Sequence, residues 1–330
     1  MSHKLKVGEL QEAYRTDEEI WRIFTIVLST KSVKSSTYKF ALMKALIENL
    51  YNVNEDCELT YNQLVYTFAK MYWNLVVKNN LLEHNSNKQK KAKVVTVIKA
   101  IQQRYFIPDD LMFDTLDDSI QLELTNKVKA VMKENVFGAL YGDTNGVFYA
   151  FNHQVEVLRL HPTVHQFMMK YQRLIIYLTN YHMAKMIDSL NEVPDTNGLL
   201  NKIESIAKRT SLKPFEKLLL SYFDSCCFYC QKPLKMGIRE THVDHFIPWS
   251  FVQSDQIWNL VLSCNQCNLK KSDKLPFRAF VDVIMERNEV LRETGDSQVA
   301  RWMENYRRDK VGLLYEYAVR NGFDGVWGPG

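Results

Sequence analysis

The amino-acid sequence predicts an α+β chain: a mainly helical N-terminal region with a small β-hairpin, then a compact C-terminal module braced by cysteine. Three observations carry this reading. Apolar residues recur at helical spacing through the first 135 residues. That period breaks at a turn-rich stretch, with two short apolar runs near residues 137–160. Finally, five of the six cysteines fall between Cys226 and Cys267.

The helices come first in the chain. Thr16-Asp17-Glu18-Glu19 reads as an N-cap with an acidic first turn, leading into Ile20, Ile23, Phe24, Val27 and Leu28. Tyr38 to Leu50 repeats the stripe with Phe40, Leu42, Met43, Leu46, Ile47 and Leu50. Thr60 caps a third segment, expected to run to about Lys78. Stripes of this kind are core faces rather than ligand sites. Two basic clusters interrupt them: Lys31, Lys34, Lys39 and Lys44, and then Lys88, Lys90, Lys91 and Lys93. Either cluster is a solvated face or a phosphate contact.

From Val136 the texture changes. Gly142-Asp143-Thr144-Asn145-Gly146 is a turn signal. Val147–Phe151 and Val155–Leu160 flank Asn152-His153-Gln154, which suits a hairpin or small meander. Pro162 and Thr163 open a long amphipathic helix through Tyr181. His153, His161, His165 and His182 lie here without Cys or carboxylate partners at ligand spacing, so they read as structural or surface residues. Pro194-Asp195-Thr196-Asn197-Gly198 is the clearest linker, which divides the chain into residues 1–200 and 201–330.

Composition sets outer bounds. A chain of 330 residues, 46% hydrophobic, with 12 Gly and 8 Pro can bury a sizeable core and lacks the signature of long disorder. No apolar run reaches the roughly 18–20 residues of a membrane span, and Met1–Glu12 is too polar for a signal peptide. A cytoplasmic protein with no membrane partner is expected. A net charge of +4 allows a nucleic-acid partner without requiring one.

The chemistry lies in the last third. Cys227-Phe-Tyr-Cys230 and Cys264-Asn-Gln-Cys267 are two C-x2-C knuckles, each able to give two thiolates to a tetrahedral Zn²⁺. The 33 residues between Cys230 and Cys264 exceed the gap of a small zinc ribbon, so they must fold as a unit whose ends meet at the metal. Cys226 would make C-x3-C and is the poorer ligand. That insert holds Thr241-His242-Val243-Asp244-His245-Phe246-Ile247-Pro248, a strand stopped by proline, and Trp258-Asn259-Leu260-Val261-Leu262-Ser263. A short helix follows from Cys264, carrying Asn268, Lys270 and Lys271, and ends before Pro276. After it the chain returns to helix, Phe277–Met285 and Trp302–Arg320.

In this order, knuckle, Asp-His-hydrophobic-x-Pro, Asn-Leu, Cys-x2-Cys-Asn-x2-Lys, the stretch Cys227–Lys271 resembles the HNH, or ββα-metal, endonuclease family. Val243–Pro276 also resembles the HNH domain of RNA-guided CRISPR nucleases, though nothing else in the chain does. The resemblance covers about a fifth of the chain. It implies a ββα-metal domain with its core at residues 222–280, a structural zinc on the four knuckle cysteines and a catalytic Mg²⁺, with Mn²⁺ as the alternative. His245 would be the general base, Asp244 and Asn268 the Mg²⁺ ligands, and Asn259 the residue that pins the loop. Lys270 and Lys271 would approach the phosphate backbone of the substrate. Asn268 stands where the family has its last histidine, making an H-N-N variant.

What this implies is a metal-dependent endonuclease acting on DNA in prokaryotic or phage genome defence. The alternatives are an RNA- or tRNA-cleaving toxin and a non-catalytic zinc-dependent nucleic-acid-binding module. The N-terminal region would then bind a protein partner or a second copy, sense, or position substrate. His242 (an exposed strand residue or a substrate contact) stays open, as do Lys232, Lys235 and Arg239 (solvated or phosphate-tracking).

Overall fold

The computed structural model describes residues 5–29, 31–34, 36–81, 92–190, 200, 203–204, 212–234, 241–252, 254–304 and 306–329. Lys88, Lys90, Lys91, Lys235, Arg239 and the linker at 194–198 lie outside these. The fold is mixed α+β, with a mainly helical N-terminal region and a C-terminal region holding four clustered cysteines. It divides into two compact units, Met1–Met168 with Leu174–Lys208, and Met169–Arg173 with Arg209–Gly330. No helix among the described residues is long and apolar enough to cross a membrane.

In the first unit, α1 (Asp17–Leu28) starts with a capping box: Thr16 accepts from Glu19 N, and the Glu19 carboxylate takes the Thr16 N–H. Its apolar stripe buries Ile20, Phe24, Val27 and Leu28. Next, α2 (Tyr38–Glu48) is buried on nearly every side, which makes it the central helix of the unit. A second capping box, Thr60 with Gln63, opens α3 (Tyr61–Trp73), which continues as a π-helical turn over Asn74–Lys78. Helices α4 (Lys93–Arg104), α5 (Asp118–Asn135) and α6 (Phe137–Asp143) follow. The expected single helix after Pro162 is two, α7 (Pro162–Lys170) and α8 (Gln172–Leu190).

The hairpin expected near 137–160 is narrower and its sheet wider than the sequence implied. Residues 137–143 are helical; Tyr149–Asn152 and Val157–Leu160 form the hairpin. Val7–Gly8 and Glu58–Thr60 extend it on either side to a four-stranded antiparallel sheet. Numbered along the chain, these strands are β1 (7–8), β2 (58–60), β3 (149–152) and β4 (157–160), in the order β1-β3-β4-β2. Two- and three-residue edge strands carry too little alternation to be seen in sequence. The turn before β3 places Asn145 and Gly146 at φ +53° and +71°, a left-handed pair that asparagine and glycine accept at low cost.

The rings of His153, His161 and His165 make hydrogen bonds within the fold. His153 bridges the Tyr61 hydroxyl and the Lys133 carbonyl at 2.8 Å each, and His165 Nε2 lies 2.8 Å from the Leu50 carbonyl. Two members of the first lysine cluster turn inward. Lys44 is buried and donates to Asn180 Oδ1 at 2.6 Å, with burial lowering its pKa. Lys39 is buried against Asp143 Oδ2 at 2.6 Å and also donates to the Val33 carbonyl. Neither presents its charge to a phosphate. Removing the carboxylate with Asp143→Asn should leave Lys39 uncompensated and lower the unfolding free energy by about 3 kcal/mol, read by denaturant titration. A loss below about 0.5 kcal/mol would place that ion pair among surface contacts of negligible weight.

In the second unit, α9 (Lys213–Tyr222) precedes the first knuckle. Then come β5 (Thr241–His245), a short helix α10 (Trp249–Val252), a 3₁₀ turn (Ile257–Asn259), β6 (Leu260–Cys264) and α11 (Asn265–Lys271). Strand β7 (Leu275–Pro276), helices α12 (Ala279–Arg292), α13 (Ser297–Met303) and α14 (Lys310–Arg320), and strand β8 (Val326–Trp327) complete it. The tail folds back, β8 pairing in parallel with β7, and the Trp327 ring meets Tyr229 edge-on at 5.2 Å.

Candidate metal and phosphodiester site

Two antiparallel strands carry the site. Their register pairs Thr241 with Cys264 and His245 with Leu260, so the ladder runs from a knuckle cysteine at one end to the Asp-His pair at the other. The first knuckle docks on this hairpin through Phe228 N–H to the Leu262 carbonyl at 2.8 Å. It turns tightly, with Gln231 N–H bonded to the Cys227 carbonyl at 2.9 Å and Gln231 itself at φ +59°.

The four cysteines Cys227, Cys230, Cys264 and Cys267 come together, their sulfurs all within 4.8 Å of one another. Cys230 Sγ and Cys264 Sγ lie 3.8 Å apart. Tetrahedral Zn–S bonds of about 2.3 Å require sulfurs about 3.8 Å apart, so the donor set fits zinc in both chemistry and spacing. Cys264 also N-caps α11, its Sγ accepting from Cys267 N–H at 3.4 Å. Burial pushes the Cys227 and Cys267 thiols up. Four thiolates could not persist there without a cation. Cys226 is outside the cluster and forms a bridge with Pro233.

Asp244 and His245 are 7% and 3% exposed, so only an edge of each reaches the surface. Asp244 Oδ2 accepts a hydrogen bond from the Tyr229 hydroxyl at 2.6 Å and pairs with the Lys271 ammonium at 3.0 Å. Burial, with the adjacent Asp244 charge, holds the Tyr229 hydroxyl protonated and therefore a donor. Among the described residues, none donates to Asp244 Oδ1. His245 Nε2 lies 2.8 Å from Asp255 Oδ1, and its backbone carbonyl accepts from Lys271 Nζ at 2.7 Å.

Asn259 makes a two-point pairing with Ile247: its Oδ1 accepts from Ile247 N–H and its Nδ2 donates to the Ile247 carbonyl, both at 2.9 Å. Its carbonyl also accepts from Phe246 N–H at 2.8 Å. The segment after His245 is thereby tied to the turn before β6. From α12, Arg287 Nη1 donates to the Leu260 carbonyl and Asn288 Nδ2 to the Trp258 carbonyl, each at 2.8 Å, which anchors that turn from behind.

The helix α11 separates its two lysines. Consecutive helical residues point about 100° apart, so Lys270 faces solvent while Lys271 is fully buried against β5. The expectation that Lys271 touches substrate phosphate is therefore corrected: it is the internal counter-ion of Asp244. Asn268, half-buried, sits one turn before Lys271 and so shares its side of the helix. His242 is half-buried on β5 and Lys232 is exposed. Two polar residues of the site, Tyr229 and Asp255, were not singled out in the sequence. A signal for Tyr229 was present, since a residue between knuckle cysteines is held wherever the metal holds them. Asp255 had none, being an acidic residue in a polar loop.

Replacing Cys227 or Cys264 by serine should lower bound zinc below one per chain and destabilise this unit, because structural zinc contributes folding energy directly. Full zinc occupancy in either variant, by metal analysis, would contradict the ligand set. Asn259→Ala should cost about 2–3 kcal/mol, since it leaves the buried Ile247 N–H and carbonyl without partners. A denaturation midpoint equal to the wild type's would show that the pairing does not hold the loop.

Residues 227–277 match a family model described as HNH endonuclease. No curated protein and no solved structure matches the chain. With the four-cysteine cluster and the Asp-His hairpin inside the matched span, residues 227–277 are an HNH endonuclease domain.

Proposed function

We propose that this domain is a divalent-cation-dependent endonuclease that hydrolyses phosphodiester bonds in DNA, serving prokaryotic or phage genome defence. The observation that carries the chemistry is the state of Asp244 and His245. The carboxylate is clamped through one oxygen with the other left for a cation, and beside it stands an imidazole held by a single acid. The family description supports the reaction class, and the exposed Lys270 beside the site supports a polyanionic substrate.

Mg²⁺ fits the donors that remain. Asp244 Oδ1 and the Asn268 side-chain amide receive no hydrogen bond from the described residues, and both offer the hard oxygen that Mg²⁺ prefers. Lys271 already offsets the Asp244 charge, so these two ligands attract a dication only modestly. Phosphate oxygens and water would complete the shell, which makes substrate and metal binding cooperative. A bound dication supplies Lewis-acid stabilisation of charge on the phosphate. His245 takes one proton from water, whose oxygen bonds to phosphorus as the P–O3′ bond breaks. The products are a 5′-phosphate and a 3′-hydroxyl, the latter protonated from solvent. Asn259 keeps the His245 loop in place, and the four cysteines would hold a Zn²⁺ that keeps the hairpin closed.

Purified zinc-loaded protein, given plasmid, single-stranded DNA or tRNA, should cut DNA with Mg²⁺ and not when Mg²⁺ is withheld. His245→Ala should lower the rate by at least about 10²-fold while zinc content stays at one per chain. Cleavage confined to tRNA would replace the DNA reading with an RNase. No cleavage of any substrate, with DNA binding equal in wild type and His245→Ala, would leave a zinc-dependent binding module.

A further inference from the structure

Most polar side chains around the Asp244–His245 pair have an evident role. Tyr229 and Lys271 hold the carboxylate, and Asn259 fixes the loop. Asp255, between α10 and the 3₁₀ turn, does neither. Its Oδ1 lies 2.8 Å from His245 Nε2, with the imidazole 4% and the carboxylate 15% exposed. We propose that Asp255 is the positioning residue of His245, accepting the Nε2–H bond and thereby fixing the tautomer whose Nδ1 lone pair receives the proton of the attacking water. The inference rests on the hydrolytic reading above and adds to it the atom that acts and the residue that selects it.

A neutral imidazole carries one N–H, on either nitrogen, and the two forms present different nitrogens as bases. An ionised carboxylate can only accept, so the nitrogen facing Asp255 must carry the hydrogen. Nδ1 is left with its lone pair, and among the described residues it has no hydrogen-bond partner. The ring is therefore held by Asp255 at Nε2, while Lys271 fixes the His245 backbone through its carbonyl, 2.7 Å away.

The Asp255 loop is itself fixed. Gln256 Nε2 donates to Ser254 Oγ at 2.8 Å, and Asn259 N–H donates to the Gln256 carbonyl at 2.8 Å. In the step itself, water gives one proton to Nδ1 while its oxygen forms the bond to phosphorus and the bond to the leaving oxygen breaks. The Nε2 proton stays in place. The imidazolium so formed faces the Asp255 carboxylate, which stabilises it as it appears.

The test uses the full-length, zinc-loaded chain with ¹⁵N-labelled histidine rings, His245 being assigned from the His245→Ala spectrum. Two-bond ¹H–¹⁵N spectra at pH 8 should show wild-type His245 as the Nε2–H tautomer. In Asp255→Asn the amide can donate to Nε2, so the Nδ1–H form should grow in; in Asp255→Ala the two forms should mix. With Mg²⁺ and DNA, both variants should lose kcat on the order of 10²-fold, with KM within about 2-fold. Asp255→Glu should regain part of the loss.

A wild-type Nδ1–H tautomer would overturn the proposal, as would variants whose spectra and kcat match the wild type's. Wild-type protein that cuts, with His245→Ala inactive and Asp255→Asn fully active, would keep the nuclease reading and remove Asp255 from it. Protein that cuts nothing yet shows the expected tautomer and its dependence on Asp255 would sink the nuclease reading and sustain the positioning role.

Discussion

Two pairs of cysteines separated by 33 residues have to meet at one point, and the C-terminal unit is organised around that closure. The five-residue ladder of β5 and β6 is too short to be stable alone. Closing the intervening loop costs chain entropy that grows slowly with its length, whereas a structural zinc contributes about 10 kcal/mol or more of folding free energy. A zinc held by the four cysteines would therefore outweigh that cost and stabilise the hairpin. Its register then sets where Asp244 and His245 stand, at the end of the ladder away from Cys264.

Tyr229 makes the two sites one object. It lies between Cys227 and Cys230, so a metal that fixed the knuckle would also fix its ring, and its hydroxyl reaches the Asp244 carboxylate. Lys271 does the same from the other side, one turn after Cys267 on the helix that Cys264 caps. The cysteine cluster is thus linked to a candidate ligand of a second metal through one hydrogen bond and one ion pair. Disturbing the zinc should loosen both at once.

The sequence was most legible where spacing is tied to a fixed geometry. Two C-x2-C knuckles fix four ligands, Thr16 and Thr60 fix two helix starts, and the brackets of apolar spacing around α1, α2 and α3 fix the core. It was least legible where a choice depends on tertiary packing. Lys270 and Lys271 are indistinguishable in sequence, yet one is solvated and the other wholly buried. Lys39 and Lys44 look like surface charges until Asp143 and Asn180 arrive from more than 100 residues away. Two of the sheet's four strands are too short for any periodicity, and the Asp255–His245 contact follows no spacing rule.

The central claim is that this hairpin directs a water molecule onto phosphorus with His245 as base. Cleavage in H₂¹⁸O, with mass analysis of the new ends, tests it most directly. The account requires one ¹⁸O per cut, located in a 5′-phosphate opposite a 3′-hydroxyl, and loss of that product in His245→Ala. Ends bearing 3′-phosphate or 2′,3′-cyclic phosphate, or the same labelled product at full rate from His245→Ala, would contradict it.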